Sequence, residues 1–213
     1  MFTRSKHIAP RAIALLAAIL STAALGIALP VSDQVSTVVD PFGDAFFNNA
    51  PAFQDIVFGQ MTKTTNGDFE LLMEMAGPVP ANPHMPPPAR AEIWWLWTFD
   101  LDPTTFPPGY PGSPGYASPV GPEFSVYVRW DGAAFAGIAI DRRPLLTGGE
   151  AIITPVQFSF STDRTIVEAV LPYELIGDVP ASFGWNLRTL DWSGPVGSVG
   201  HNVVDGADTV FNP

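Results

Sequence analysis

DIVFGQMTKTTNGDFELLMEMAG, residues 55–77, decides the fold. In its second half Phe69, Leu71, Met73 and Met75 alternate with Asp68, Glu70, Leu72 and Glu74. Apolar residues at every second position line one face of a strand, whereas a helix would repeat them every three to four. Asn66-Gly67 lies between the two arms, and that dipeptide accepts the positive φ of a tight hairpin. The stretch therefore predicts a β-hairpin with one face buried.

The same period continues along the chain. Ile93, Trp95, Trp97, Phe99 and Leu101 fall on one face of the next stretch, and Trp94, Leu96, Thr98 and Asp100 on the other. Both faces begin apolar, as in a central strand covered on two sides. EFSVYVRWDGAAFAGIAID (123–141) predicts a second hairpin, with Phe124, Val126, Val128 and Trp130 inward and Asp131-Gly132 at the turn. EAIITPVQFSFS and RTIVEAVLP are two further strands with Thr162-Asp163 near their turn, and PYELIG allows one helical turn. SFGWNLRTLDW is the last strong strand, followed by a turn-rich tail with an edge strand around 202–204. Two stretches cannot pair in a sheet: 77–91, whose residues 77–90 hold six prolines, and 103–122, with seven prolines and four glycines. About eight strands with antiparallel links and almost no helix describe an all-β antiparallel sandwich of jelly-roll type, one domain over residues 30–213.

Residues 1–29 differ in kind. Arg4, Lys6 and Arg11 precede the 18-residue stretch AIALLAAILSTAALGIAL, which closes on small residues. This is the composition of an export signal, with cleavage expected near Gly26 or Ala28; a retained anchor is the alternative. The expected location is periplasmic or extracellular. The leader carries three of the ten bases and none of the 21 acids, leaving seven bases against 21 acids beyond it, a net −14. Such a surface excludes nucleic acid and, after signal removal, a membrane surface as partners. The chain has no cysteine, so the core stands without disulfides and thiol chemistry is excluded.

The order of landmarks carries a resemblance. DPFGDAF (40–46), the 55–78 stretch, WWLWTFDLD (94–102), EFSVYVRWDG (123–132), TIVEAVLPYELIG (165–177) and GWNLRTLDW (184–192) follow one another. Together they resemble the exported β-sandwich modules grouped with family 9 carbohydrate-binding modules and the related DOMON domains, over roughly residues 40–211. The resemblance implies sugar binding through aromatic side chains, in some members with structural calcium, and haem binding in some DOMON relatives. The Asp100/Asp102 pair departs from the pattern in being followed by an unusually long proline-glycine loop, and the sugar-stacking aromatics of the family have no positional match here.

Sugars lay C–H faces on aromatic rings, so exposed indoles are the expected platform. Trp95 and Trp97 read as core; Trp94 projects the other way and, with Tyr110 and Tyr116, is the candidate ligand wall, set against ordinary burial of a large aromatic. Asp40, Asp44, Asp100, Asp102, Asp205 and Asp208 sit at strand ends and in loops, where oxygens for calcium could gather; solvated turn aspartates are the plainer reading. Two histidines remain after the leader, His84 and His201, and no G-x-S-x-G accompanies them. A haem pair of either with Met61, Met73, Met75 or Met85 is the other use for them. Arg142-Arg143 is expected to balance nearby acids. The leading expectation is thus an exported non-catalytic module binding a glycan or cell-surface polysaccharide, with structural calcium. A structural or adhesive envelope protein without a small ligand is the alternative, and a glycoside-acting enzyme the third.

Overall fold

Residues 32–45, 50–83, 92–101, 122–192 and 201–211 are described in a computed structural model, with backbone alone for 192, 201–204 and 208–211. The leader expected over residues 1–29 lies outside them, and from Ser32 onward the chain forms one compact unit. Eleven strands are present among the described residues: β1 (Gln34–Val39), β2 (Ile56–Lys63), β3 (Phe69–Met75), β4 (Glu92–Asp100), β5 (Phe124–Asp131), β6 (Phe135–Asp141), β7 (Ile152–Pro155), β8 (Gln157–Phe160), β9 (Ile166–Leu171), β10 (Phe183–Trp192) and β11 (His201–Phe211). They form two antiparallel sheets, a five-stranded one in the order β1-β2-β3-β9-β8 and a six-stranded one in the order β11-β10-β4-β5-β6-β7.

The expected hairpins are there for the expected reasons. Gly67 has φ +92° and its N–H donates to Thr64 O at 2.9 Å, closing the β2–β3 turn. Gly132, at φ +93°, turns β5 into β6. Phe69, Leu71, Met73 and Met75 are all buried, as are Ile93, Trp95, Trp97 and Phe99 of β4. Across the interior the Phe99 ring meets Phe69 edge-on at 5.8 Å and stacks on Phe183 at 6.0 Å, so rings from both sheets share one core. Trp95 Nε1–H donates to Phe53 O at 3.0 Å and Trp185 Nε1–H to Ser36 Oγ at 3.1 Å, which satisfies two buried indoles.

Three strands exceed the eight expected. The single stretch EAIITPVQFSFS divides at Val156: β7 pairs β6 in one sheet, and β8 pairs β9 in the other. Pro155 ends β7 at the open edge of its sheet, where a missing N–H does little harm. Residues 34–39, QVSTVV, whose apolar and polar residues do not alternate in sequence, form an edge strand held by β2. The tail bears out the edge strand expected around 202–204 and extends it well beyond those residues. Residues 201–211 form the longest strand among the described residues, paired along β10, so Asp205-Gly206-Ala207-Asp208 is strand and not a turn. Its glycine has a packing reason: a Cβ at Gly206 would collide with the Arg188 side chain on the neighbouring strand.

Three arginines fasten the connections. Arg143 pairs with Asp141 at 2.8 Å and also donates to the carbonyls of Leu175 and Ile176, tying the β6 end to the helical turn Tyr173–Ile176. Arg142 is buried; it donates to Ser125 Oγ at 2.6 Å, and burial lowers its guanidinium to about 10. Arg164 takes φ +60° at the β8–β9 turn, lies 4.1 Å from the Phe160 ring centroid and donates from Nε to Val79 O at 2.6 Å.

Candidate functional site

Three of the six candidate aspartates converge at one end of the sandwich. Asp40 and Asp44 bracket the turn that leaves β1, and Gly43 within it has φ +81°. The Gly43 N–H points at the carboxylate of Asp55, reaching its two oxygens at 3.0 and 3.3 Å. Asp205 arrives from the other sheet. Between Thr189 and Leu190 the β10–β11 register skips one residue, a bulge that re-aims the strand beside it. Asp205 there is 3% exposed; its Oδ2 accepts the Ile56 N–H at 2.6 Å and its Oδ1 the Gly206 N–H at 2.8 Å. One carboxylate oxygen from each of Asp40, Asp44 and Asp205 then lies within 4.8 Å of the other two.

The electrostatics follow from this crowding. Burial pushes Asp40 up to about 7; the charges of Asp205, Asp44 and Asp55 add to the rise, and Arg188 opposes it. Its Oδ2 is buried and accepts no hydrogen bond from the described residues. Asp205 is raised to about 6, again chiefly by burial, against the two N–H donors that favour its charged form. Asp55 is raised as well, with burial first and the Gly43 N–H opposing. An all-oxygen set of carboxylates, in which Asp40 and Asp205 are reluctant to ionise, accepts either shared protons or a hard divalent cation, and suits calcium better than a soft metal.

Asp100 takes no part. It sits on the opposite face of its sheet, five residues along β4 from Trp95, the residue level with Asp205, which is about 17 Å at the usual rise. Asp102 and the side chain of Asp208 lie outside the described residues. Asp55 was missed because an acid at a strand start carries no local signal of its role; only the folded turn brings Gly43 to it.

Trp94 projects from the outer face of the six-stranded sheet, as expected, and is half-buried. Its indole stacks on Tyr127, centroids 4.8 Å apart and planes 6° from parallel, so one ring face is already taken. Leu96, Leu190, Ile138 and Ile140 pack around the pair. Tyr110, Tyr116 and His84 lie outside the described residues, and so does the side chain of His201. Met61, Met73 and Met75 are buried in the main core, where methionine fills space.

A concavity lies on the outer face of the five-stranded sheet. It is a shallow groove of about 390 Å³ crossing β2, β3, β9 and β8. Strand register arranges its side chains in cross-strand rows: Thr62, Glu70, Val170 and Gln157 in one, Gln60, Leu72, Glu168 and Ser159 in the next. The Ser159 hydroxyl donates to Glu168 Oε2 at 2.6 Å, and Gln60 Nε2–H to Thr62 Oγ1 at 3.1 Å. The alternation that buries Phe69 and Leu71 is what aims Glu70 and Leu72 outward.

No family model, curated protein or solved structure matches this chain. Among the described residues no helix is long and apolar enough to cross a membrane.

Proposed function

We propose that this protein is an exported, non-catalytic β-sandwich module that binds a glycan in the groove over its five-stranded sheet. One observation carries the reading: the groove combines amides, hydroxyls and carboxylates with aliphatic surface from Leu72 and Val170. Polar groups that both donate and accept, set around an apolar floor, are what a polyol with C–H faces requires. Calcium at Asp40, Asp44 and Asp205 belongs to the same reading as a brace, since those residues join the turn after β1 to β11. The landmark order set out above supports both.

Affinity electrophoresis through a panel of soluble polysaccharides tests it. At least one glycan should retard the wild-type protein, and Gln60→Ala with Gln157→Ala should abolish the retardation without moving the melting temperature. Retardation that survives both substitutions would place the glycan elsewhere. A second reading, an adhesive envelope protein, is favoured by Leu146, Ile152 and Ile153, which are 52%, 55% and 65% exposed on and beside the open edge strand β7. Concentration-dependent self-association without glycan retention would mark that case.

A further inference from the structure

We infer that the groove selects an amino-bearing saccharide, a glucosamine-type oligomer whose ammonium groups sit against Glu70 and Glu168. The inference rests on the glycan reading and names the class of sugar. Both glutamates are exposed and project into the groove from adjacent strands. In the β3–β9 register Glu70 faces Val170 and Leu72 faces Glu168, so the two acids are diagonal neighbours, about 7–8 Å apart at the backbone. Glu74 follows Glu70 and Leu72 on the same face of β3 and extends the negative row.

Among the described residues that line the groove there is no lysine, arginine or histidine. The nearest base in sequence, Lys63, follows Thr62 on β2 but is turned the other way, its Nζ 5.9 Å from the Phe69 ring centroid. A neutral sugar would leave two carboxylates facing each other's charge with only hydroxyls to answer them. An ammonium supplies three donors and a compensating charge to each. The Ser159 hydroxyl holds Glu168 through Oε2, which fixes the carboxylate for an incoming cation without neutralising it. The groove crosses four strands, about 14 Å at the usual inter-strand spacing, and its rows run from β2 to β8, so it suits a segment of chain and not a single ring.

The test is calorimetric titration of the full-length protein with a glucosamine oligomer and with its N-acetylated counterpart, at low and high salt. The amino form is expected to bind more tightly, with a preference that shrinks at high salt because these charges face solvent. Glu70→Gln and Glu168→Gln should each weaken it by up to about five-fold, the ordinary worth of an exposed ion pair, and narrow the ratio between the affinities for the amino and acetylated forms. Equal or better binding of the acetylated oligomer would overturn the inference while leaving the glycan reading in place. A preference for the amino form that survives the double substitution would also overturn it, by assigning the charge recognition to another surface. Absence of binding by either form, or by any glycan of the panel, would sink both. The two glutamates are exposed, so their variants should melt as the wild type does, and circular dichroism melting of each confirms the fold.

Discussion

The carboxylate of Asp205 accepts the backbone N–H of Ile56 at 2.6 Å, and with that bond the last strand of one sheet holds the second strand of the other. The two residues are 149 positions apart. Asp205→Ala would strip acceptors from the N–H groups of both Ile56 and Gly206. A buried donor left unpaired costs about 1–3 kcal/mol, so chemical denaturation should show a loss of that order. Asp205→Asn keeps one carbonyl acceptor and should recover part of it. An alanine variant as stable as wild type would mean that the bond contributes nothing.

Stability should fall as pH rises through neutrality. In the unfolded chain an aspartate titrates near 3.8, whereas Asp40 is raised to about 7 and Asp205 to about 6 in the fold. The folded state therefore binds protons more tightly between these values, and linkage makes the associated stability greatest below about pH 4. It is lost progressively as pH passes 6 and then 7. Asp131 and Asp163 act in the opposite sense: N–H groups of Ala134 and Ala133 hold the first below the usual range, and the Ser161 hydroxyl with Thr165 holds the second. Their contribution disappears only in acid, below the window in question. Melting temperature measured from pH 5 to 8 in chelator should decline, and Asp40→Asn should flatten the upper part of that decline. An unchanged profile in the variant would show that Asp40 is not the titrating group.

Calcium should reverse the loss at alkaline pH. Protons and a divalent cation compete for the same oxygens, so the ion should stabilise more at pH 8 than at pH 5. Saturation at a hundred times Kd corresponds to about 2.7 kcal/mol. Differential scanning calorimetry with calcium and then with chelator measures it, and Asp44→Asn should reduce the effect because Asp44 is the exposed member of the three. A melting temperature indifferent to calcium at pH 8 would remove the ion from the account.

Gly59 of β2 packs directly against Leu187 of the facing sheet. A Cβ there would run into Leu187 Cδ1 and crowd Val38. Leu187 is fully buried, so it has little room to retreat. Gly59→Ala should therefore destabilise by about 1–3 kcal/mol, the usual penalty for overpacking a filled core. Leu187→Ala made in the Gly59→Ala background should cost less than the same change alone, which a double-mutant cycle would read directly. Additive effects would mean that the two side chains do not compete for space.

Alternation of side chains determined the fold class unaided, because in a strand the buried and exposed positions are neighbours in the sequence and the pattern survives in any window. Phe69 to Met75, Ile93 to Phe99 and Phe124 to Trp130 all face inward as their spacing dictates. Asn66-Gly67 and Asp131-Gly132 marked their turns for the same local reason. Tertiary structure alone decided the rest. Which aspartates meet depends on a turn, a bulge and the packing of two sheets, so Asp40, Asp44 and Asp205 converge while Asp100, similar in sequence context, faces away. The strand nature of 201–211 came from pairing along β10, which overrides the turn-forming Asn202, Asp205, Gly206 and Asp208 within it. The groove exists because cross-strand register sets Glu70 and Leu72 beside Glu168 and Val170, and register is a relation between segments that neither segment encodes by itself.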